Sequence, residues 1–326
     1  MARILLIHTG GTLGMTGTPL EPGAYAEALT ERLPELEELA ELETRIPFNL
    51  DSSDVGPEHW SRLAEMIIDE RERFDGFVVV HGTDTMAYSA SALTFSLAGL
   101  DRPVIFTGAQ RPLASLRTDA RRNLADAVEC ATHDIPEVSI CFDGLLLRGC
   151  RTTKANVRDY RAFDSPGCEP LARLGVDIEV ADHIRSSHPA TLRSGFDDQV
   201  VLSYLHPGFD PDHLRRIVEA DAPPKGIVVA AYGVGTVPSQ QRAISPLVTR
   251  AIERGIDVLV ATQSSGKVDL GLYENSLPLA EAGAIGAGAM TLESAVTKMM
   301  HALATWPDDR DARRRYLETD VAGERD

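Results

Sequence analysis

Gly76-Phe77-Val78-Val79-Val80-His81-Gly82-Thr83-Asp84-Thr85-Met86-Ala87-Tyr88 opens on an apolar run, breaks at a short polar loop, and continues without glycine or proline to Leu97. A short apolar run bounded by turn residues reads as a strand buried on both faces, and the stretch after the loop reads as a helix over Met86–Leu97. The same unit recurs outward in both directions. Candidate strands are Ile4–Ile7, Arg45–Leu50, Gly76–Val80, Val104–Thr107 and Val138–Phe142. Helices are expected over Glu35–Leu42, Glu58–Arg71 and Asp119–Ala131, with Pro34 and Pro57 near first helical positions. Such alternation defines an α/β fold with a doubly wound parallel-sheet N-terminal domain.

From Asp164 to Asp198 the periodicity weakens into Pro, Gly, Ser and scattered charge, which reads as a linker with a few edge strands. A second series follows, with strands at Val200–Leu205, Gly226–Ala231 and Asp257–Thr262 and helices near Asp212–Ala220, Gln240–Arg254 and Leu292–Leu303. The arginine-rich tail after Pro307 reads as a short helix or a frayed end. The expected organisation is therefore 1–165 for the N-terminal domain, 166–198 for the linker region and 199–326 for a smaller α/β C-terminal domain.

The chain of 326 residues has 32 basic and 49 acidic side chains, a net charge of −17. That balance argues against nucleic acid and membrane-surface partners, both of which need clustered positive charge. No window approaches a membrane span, and the N-terminal apolar run is too short for a signal-peptide core. Cys130, Cys141, Cys150 and Cys168 match neither a zinc pattern nor a disulfide framework, so a cytoplasmic location is expected. The histidines lack metal-ligand spacing, and no metal is expected. Neither a G-x-S-x-G elbow, an H-E-x-x-H helix, a phosphate-binding P-loop nor a complete G-x-G-x-x-G is present, which leaves an NAD-binding reading the least supported.

In open α/β sheets, ligands bind beyond the carboxyl ends of the strands. Thr9-Gly10-Gly11-Thr12-Leu13-Gly14 follows the first strand, and its glycines permit close backbone approach beside hydroxyls; a plain turn with a cap is the alternative. Asp51-Ser52-Ser53-Asp54 follows the second and reads either as a helix cap or as a carboxylate-binding turn. His81-Gly82-Thr83-Asp84-Thr85 offers three oxygen-bearing side chains in a row where a cap needs one. A fourth loop, Arg148-Gly149-Cys150-Arg151-Thr152-Thr153-Lys154-Ala155-Asn156, holds the only lysine in the first 224 residues. Arginine stays protonated, whereas burial and neighbouring cations such as Arg148 and Arg151 can bring a lysine into use as a base. Chance retention of one lysine is the bland alternative.

Taken in order, Thr9-Gly10-Gly11-Thr12, Asp51-Ser52-Ser53-Asp54, His81 to Tyr88, Thr107-Gly108-Ala109-Gln110 and Arg151-Thr152-Thr153-Lys154 resemble bacterial L-asparaginases, particularly the cytoplasmic type I group. The resemblance continues through Tyr232-Gly233-Val234-Gly235, Thr262-Gln263 and Ala289-Met290-Thr291-Leu292-Glu293. It implies cofactor-free hydrolysis of L-asparagine to L-aspartate and ammonia. Thr12 is then the nucleophile, with Thr83, Asp84 and Lys154 on the opposite side of the substrate. Ser52 and Ser53 then bind the substrate carboxylate, Asp84 its ammonium, and the glycine-rich loop or nearby backbone N–H groups the oxyanion, with Gly11, Asp51, Gly82 and Ala109 as further substrate-binding positions. The resemblance also implies a homodimer or homotetramer.

Two departures stand out. The family's activating tyrosine lies about a dozen residues after the nucleophile; Tyr25 is the only tyrosine in reach, and its flanks, Gly23-Ala24 and Ala26-Glu27, differ from the family's. Alternative readings are a glutaminase-asparaginase, the amide-hydrolysing subunit of a tRNA-dependent amidotransferase, whose usual extra N-terminal segment contrasts with a loop beginning here at residue 9, and a non-catalytic amino-acid-binding protein. The second departure is Ala230-Ala231, where some type I members place an arginine of an allosteric asparagine site just before Tyr-Gly-Val-Gly. A hyperbolic rate curve with asparagine is accordingly expected, and steady-state kinetics giving a sigmoidal curve would contradict it.

Overall fold

The structure, a computed structural model, describes residues 1–16, 21–22, 32–187 and 192–325. Five parallel strands form the heart of the first unit: β1 (Arg3–His8), β2 (Glu41–Arg45), β3 (Gly76–Val80), β4 (Val104–Thr107) and β5 (Val138–Phe142), in the spatial order 2-1-3-4-5. An antiparallel edge continues the sheet through β6 (Leu145–Arg148), β9 (Ala172–Leu174) and β10 (Ile178–Val180). Between β6 and β9 the short strands β7 (Thr153–Lys154) and β8 (Phe163–Asp164) pair antiparallel with each other. The chain divides into two compact units, Met1–Ser194 and Gly195–Asp326.

Both faces of the first sheet are covered. Ile4, Leu6, Val78, Val80 and Ile105 pack with Leu124, Ala127 and Val128 of α3 (Ala120–Cys130). The alternating residues Leu5, Ile7, Phe77, Val79 and Phe106 are equally buried. The helices α1 (Pro57–Glu70) and α2 (Met86–Ser96) pack on each other, and α2 packs on β5. Pro57 occupies the first helical position of α1, and Trp60, Leu63, Ala64 and Ile67 give it one buried stripe. α2 is buried nearly all round, which explains its lack of polar–apolar periodicity.

One pair of expected elements is wrong. The helix expected over Glu35–Leu42 is only a five-residue 3-10 turn, Pro34–Glu38, and the strand expected over Arg45–Leu50 lies earlier, as β2. Glu35, Glu37 and Glu38 leave Leu36 as the turn's single buried residue, too little for a core-facing helix. Edge position accounts for the charged character of β2: Glu41 pairs with Arg3, and Glu43 with Arg45 and Arg73. Pro47 in the expected strand could not donate to a ladder. The hairpin strand β6 was also not anticipated; Asp143 and Gly144, both at positive φ, form its two-residue turn.

The second unit has a four-stranded parallel sheet, β11 (Val200–Tyr204), β12 (Gly226–Ala231), β13 (Asp257–Thr262) and β14 (Ile285–Gly286). α4 (Pro211–Val218) and α5 (Ser245–Glu253) bury Leu214, Val218, Leu247 and Ala251 against Ile227, Val229, Val258 and Val260. A short α6 (Leu277–Glu281) precedes β14. The strands also pack on α7 (Leu292–Thr305), which α8 (Arg310–Glu318) joins.

In the 2-1-3-4-5 order the chain reverses direction across the sheet between β1 and β3, and the loops leaving these neighbours open a crevice. Gly11, at φ +88°, sits so close to the next loop that a Cβ there would lie 2.5 Å from both Cα and N of Gly82. These are backbone atoms, which cannot swing aside. Gly11→Ala is expected to cost about 2–5 kcal/mol from the left-handed conformation and the clash combined, measured by urea unfolding against wild type.

Candidate active site

Each loop is tied to its neighbour through the main chain. The Thr9 N–H and hydroxyl both donate to Val80 O at 2.9 Å, while Leu50 N–H donates to Thr9 O at 3.0 Å. His81 N–H donates to Thr107 O at 2.9 Å. Thr85 Oγ1 donates to Ser52 O at 2.5 Å, joining the loop after β3 to the turn over Ser52–Asp54. The four carboxyl-end loops of β1 to β4 thus form one connected rim.

Lys154 lies on β7, opposite Phe163, and its side chain is mostly buried. Its Nζ donates to Thr83 Oγ1 at 2.9 Å and pairs with Asp84 Oδ1. Thr83 is buried, whereas the Asp84 side chain is 69% exposed, which leaves that carboxylate open to a ligand. Thr83 Oγ1 also donates to Gln110 Oε1 at 3.2 Å. Gln110 is fixed in turn: its Nε2 donates to Asp159 O at 3.0 Å, and its N–H donates to Asp119 Oδ2 at 2.9 Å.

Thr12 begins a 3-10 turn, Thr12–Gly14, and is half-buried at the end of the loop that presses on Gly82. Ser52 is buried, with its Oγ 2.7 Å from where a Gly82 Cβ would stand. Asp51 turns inward on its own segment: it accepts from the Ser53 hydroxyl at 2.7 Å and the Ser53 N–H at 2.9 Å, which hold its carboxyl below the usual carboxylate range. Ala109 is buried just beyond β4. Tyr25 lies outside the described residues.

The cations expected beside Lys154 have other partners. Arg148 makes a two-pronged contact with Glu137, at 2.6 and 2.9 Å, and Arg151 donates to Pro166 O at 3.3 Å. What lies on Lys154 Nζ is a hydroxyl and a carboxylate. Gln110 also follows a strand end, although its residue type alone points to no role in the sequence. Asp119, which orients it, is nine residues further on and carried no local signal.

Beneath the rim lie two buried histidines. Burial pushes the His8 imidazole down to about 4, and its Nδ1 accepts the Gly10 N–H at 3.2 Å. His81 is likewise pushed down to about 4 by burial, against the opposing effect of its Gly82 contact. Both rings are neutral at pH 7. In the second unit, the turn after β12 uses Gly233 and Gly235 at positive φ, and Thr262 Oγ1 donates to Gly233 O at 2.5 Å. Gln263 Nε2 donates to Leu205 O and Ala230 O at 2.6 and 2.7 Å, and Thr291 caps α7.

A rim of strand-end loops at the crevice of a doubly wound sheet, bearing an amine against a buried hydroxyl, has the form of an α/β ligand site. The description "Asparaginase, N-terminal" matches residues 3–185 and "Glutaminase/Asparaginase C-terminal domain" matches residues 199–317. The chain belongs to the asparaginase family, hydrolases acting on amides. It is 36% identical over 340 residues to L-asparaginase 1 of Escherichia coli K12, covering 98% of this chain and 97% of that protein. Among solved structures, the thermostable L-asparaginase of Thermococcus kodakarensis superposes with a TM-score of 0.90 at 32% identity, covering 99% of each chain. L-asparaginase I of Vibrio cholerae superposes with a TM-score of 0.89 at 30% identity, covering 100% of this chain and 99% of that one.

The histidines predict a pH dependence of stability. Each has a folded-state value depressed from 6.5 to about 4, so its contribution is whole above 6.5 and is lost as pH falls toward 4. Urea unfolding is expected to lose on the order of 3 kcal/mol per histidine between pH 7 and 4 beyond the carboxylate contribution. Replacing His8 or His81 with a neutral residue should flatten that limb.

Proposed function

We propose that this chain hydrolyses the side-chain amide of L-asparagine to give L-aspartate and ammonia, with no bound cofactor. The observation that carries this reading is the contact of Lys154 Nζ with Thr83 Oγ1 at 2.9 Å and with Asp84, on the loop adjoining that of Thr12. A threonine hydroxyl is a weak nucleophile until a base accepts its proton. Thr12 Oγ1 attacks the amide carbon as its proton passes to the Lys154 amine through Thr83 or a water. Collapse of the tetrahedral species breaks the C–N bond, the leaving nitrogen takes the proton back from Lys154, and ammonia departs. Water then attacks the Thr12 ester, and its cleavage releases aspartate and restores the hydroxyl.

Substrate binding follows from the remaining groups. Asp84 pairs with Lys154 through Oδ1, which leaves Oδ2 for the substrate ammonium. Ser52 and Ser53 receive the α-carboxylate, Asp51 orienting Ser53 by the 2.7 Å bond between them. Backbone N–H groups of Gly11, Gly82 and Ala109 surround the developing oxyanion. The names of the relatives support asparagine as substrate, and we place the working form as a cytoplasmic homodimer or homotetramer.

Ammonia release from asparagine and glutamine, measured side by side, tests this reading. Wild type is expected to favour asparagine by about 10-fold or more, the discrimination one methylene allows. Thr12→Ala, Thr83→Ala and Lys154→Met should each lower kcat by about 10³-fold while circular dichroism stays unchanged. Full activity in Lys154→Met would refute the proton relay.

A further inference from the structure

His81 has no assigned part in the chemistry above, yet every polar atom of its ring is engaged. Nδ1 lies 2.7 Å from Gly82 O, Nε2 lies 2.9 Å from Ser89 Oγ, and Trp60 Nε1 donates to that same Oγ at 2.9 Å. The direction of each proton follows from the end members, because an indole N–H only donates and a carbonyl only accepts. Nδ1 therefore carries the proton and donates to Gly82 O. In the neutral ring Nε2 accepts from the Ser89 hydroxyl, whose oxygen accepts from Trp60. Ser89 belongs to α2 and Trp60 to α1, so two helices anchor the ring.

What the ring holds is a peptide that cannot hold itself. Residue 82 must lack a Cβ, because one would stand 2.7 Å from Ser52 Cβ and Oγ. Glycine satisfies that restriction but brings the widest backbone freedom of any residue, just ahead of Thr83. The peptide group is planar and trans, so a Gly82 carbonyl turned to the imidazole sends the Thr83 N–H to the opposite side. We propose that His81, oriented by Ser89 and Trp60, is a positioning residue that locks the Gly82–Thr83 peptide with the Thr83 N–H and hydroxyl facing the reacting amide. This rests on the amide-hydrolysis reading above. The ring suits the task because it is buried and uncharged, so it fixes the peptide without placing a net charge beneath the site.

The test uses the full chain, with ammonia release from asparagine measured for wild type, His81→Leu, His81→Asn and Ser89→Ala. His81→Leu removes the donor and is expected to lower kcat about 100-fold, as for a displaced oxyanion donor, with KM within about 3-fold. His81→Asn can return an N–H near the Nδ1 position and is expected to recover kcat to within about 10-fold of wild type. Ser89→Ala removes the anchor on Nε2 and is expected to lower kcat by a smaller factor than His81→Leu, with KM within about 3-fold. The proposal is overturned if folded His81→Leu keeps wild-type kcat, or if His81→Asn is no better than His81→Leu. Should His81→Leu fail to fold, wild-type kcat in folded Ser89→Ala overturns it instead. A wild type that releases no ammonia defeats the functional reading; an active wild type matched by its His81 variants defeats this inference alone.

Discussion

β1 is paired in parallel on both sides, to β2 through Ile7↔Arg45 and to β3 through His8↔Val80. The placement of Thr12, Ser52 and Thr83 depends on that register. Three strands end at the same edge of the sheet, so the loops at 9–14, 51–54 and 81–85 emerge side by side. A slip of one residue would turn every side chain of β1 to the other face and carry Thr12 away from Gly82. Register alone would still leave the loops too far apart for main-chain contact if they carried side chains where Gly11 and Gly82 stand. The glycines convert strand pairing into the close approach that brings Thr12, Ser52 and Thr83 onto one rim.

Charge is separated by depth in this arrangement. Lys154 and Asp84 carry it at the rim, where the aspartate is open to solvent. Below them, His8 and His81 are buried and neutral, and they meet their neighbours as hydrogen-bonding dipoles. A buried charge at either position would demand its own partner and desolvation. A neutral imidazole instead donates on one edge and accepts on the other, enough to fix the backbone above it.

Much of this was legible in the sequence because strands buried on both faces announce themselves as apolar runs. Gly76–Val80, Gly226–Ala231 and Asp257–Thr262 coincide with the observed strands residue for residue. The carboxyl-end rule then pointed to the loops of Thr12 and Thr83, and the scarcity of lysine to Lys154. β2 was misread because an edge strand bears alternating charge and its stability comes from the β1 ladder rather than from its own apolar content. The surroundings of Lys154 were misjudged for a related reason. Arg148 and Arg151 are its neighbours in sequence, but β6 and the 3-10 turn at Gly149–Arg151 direct them to Glu137 and Pro166. Proximity along the chain says little about proximity of long side chains at a turn.

The scarcity of lysine becomes intelligible at the two buried positions. Lys298 is fully enclosed, donating to Thr319 O at 2.6 Å and pairing with Glu324, with its Nζ 5.1 Å from the Tyr316 ring centre. Burial pushes this ammonium below the usual lysine range, and the Glu324 carboxylate, which also accepts the Ala322 N–H at 2.7 Å, counteracts that push. A compact group with tetrahedral donors suits such a pocket. The planar fork of arginine suits the paired oxygens that Arg148 meets on Glu137. At Lys154 geometry alone does not exclude arginine, since a hydroxyl and a carboxylate from adjacent residues are partners a guanidinium could bridge. The difference lies in proton chemistry. A guanidinium cannot give up its proton in the working range, whereas an amine can, and the mechanism proposed for Thr12 needs an acceptor. Shape accounts for lysine at position 298, and at position 154 the proposed mechanism is what asks for an amine.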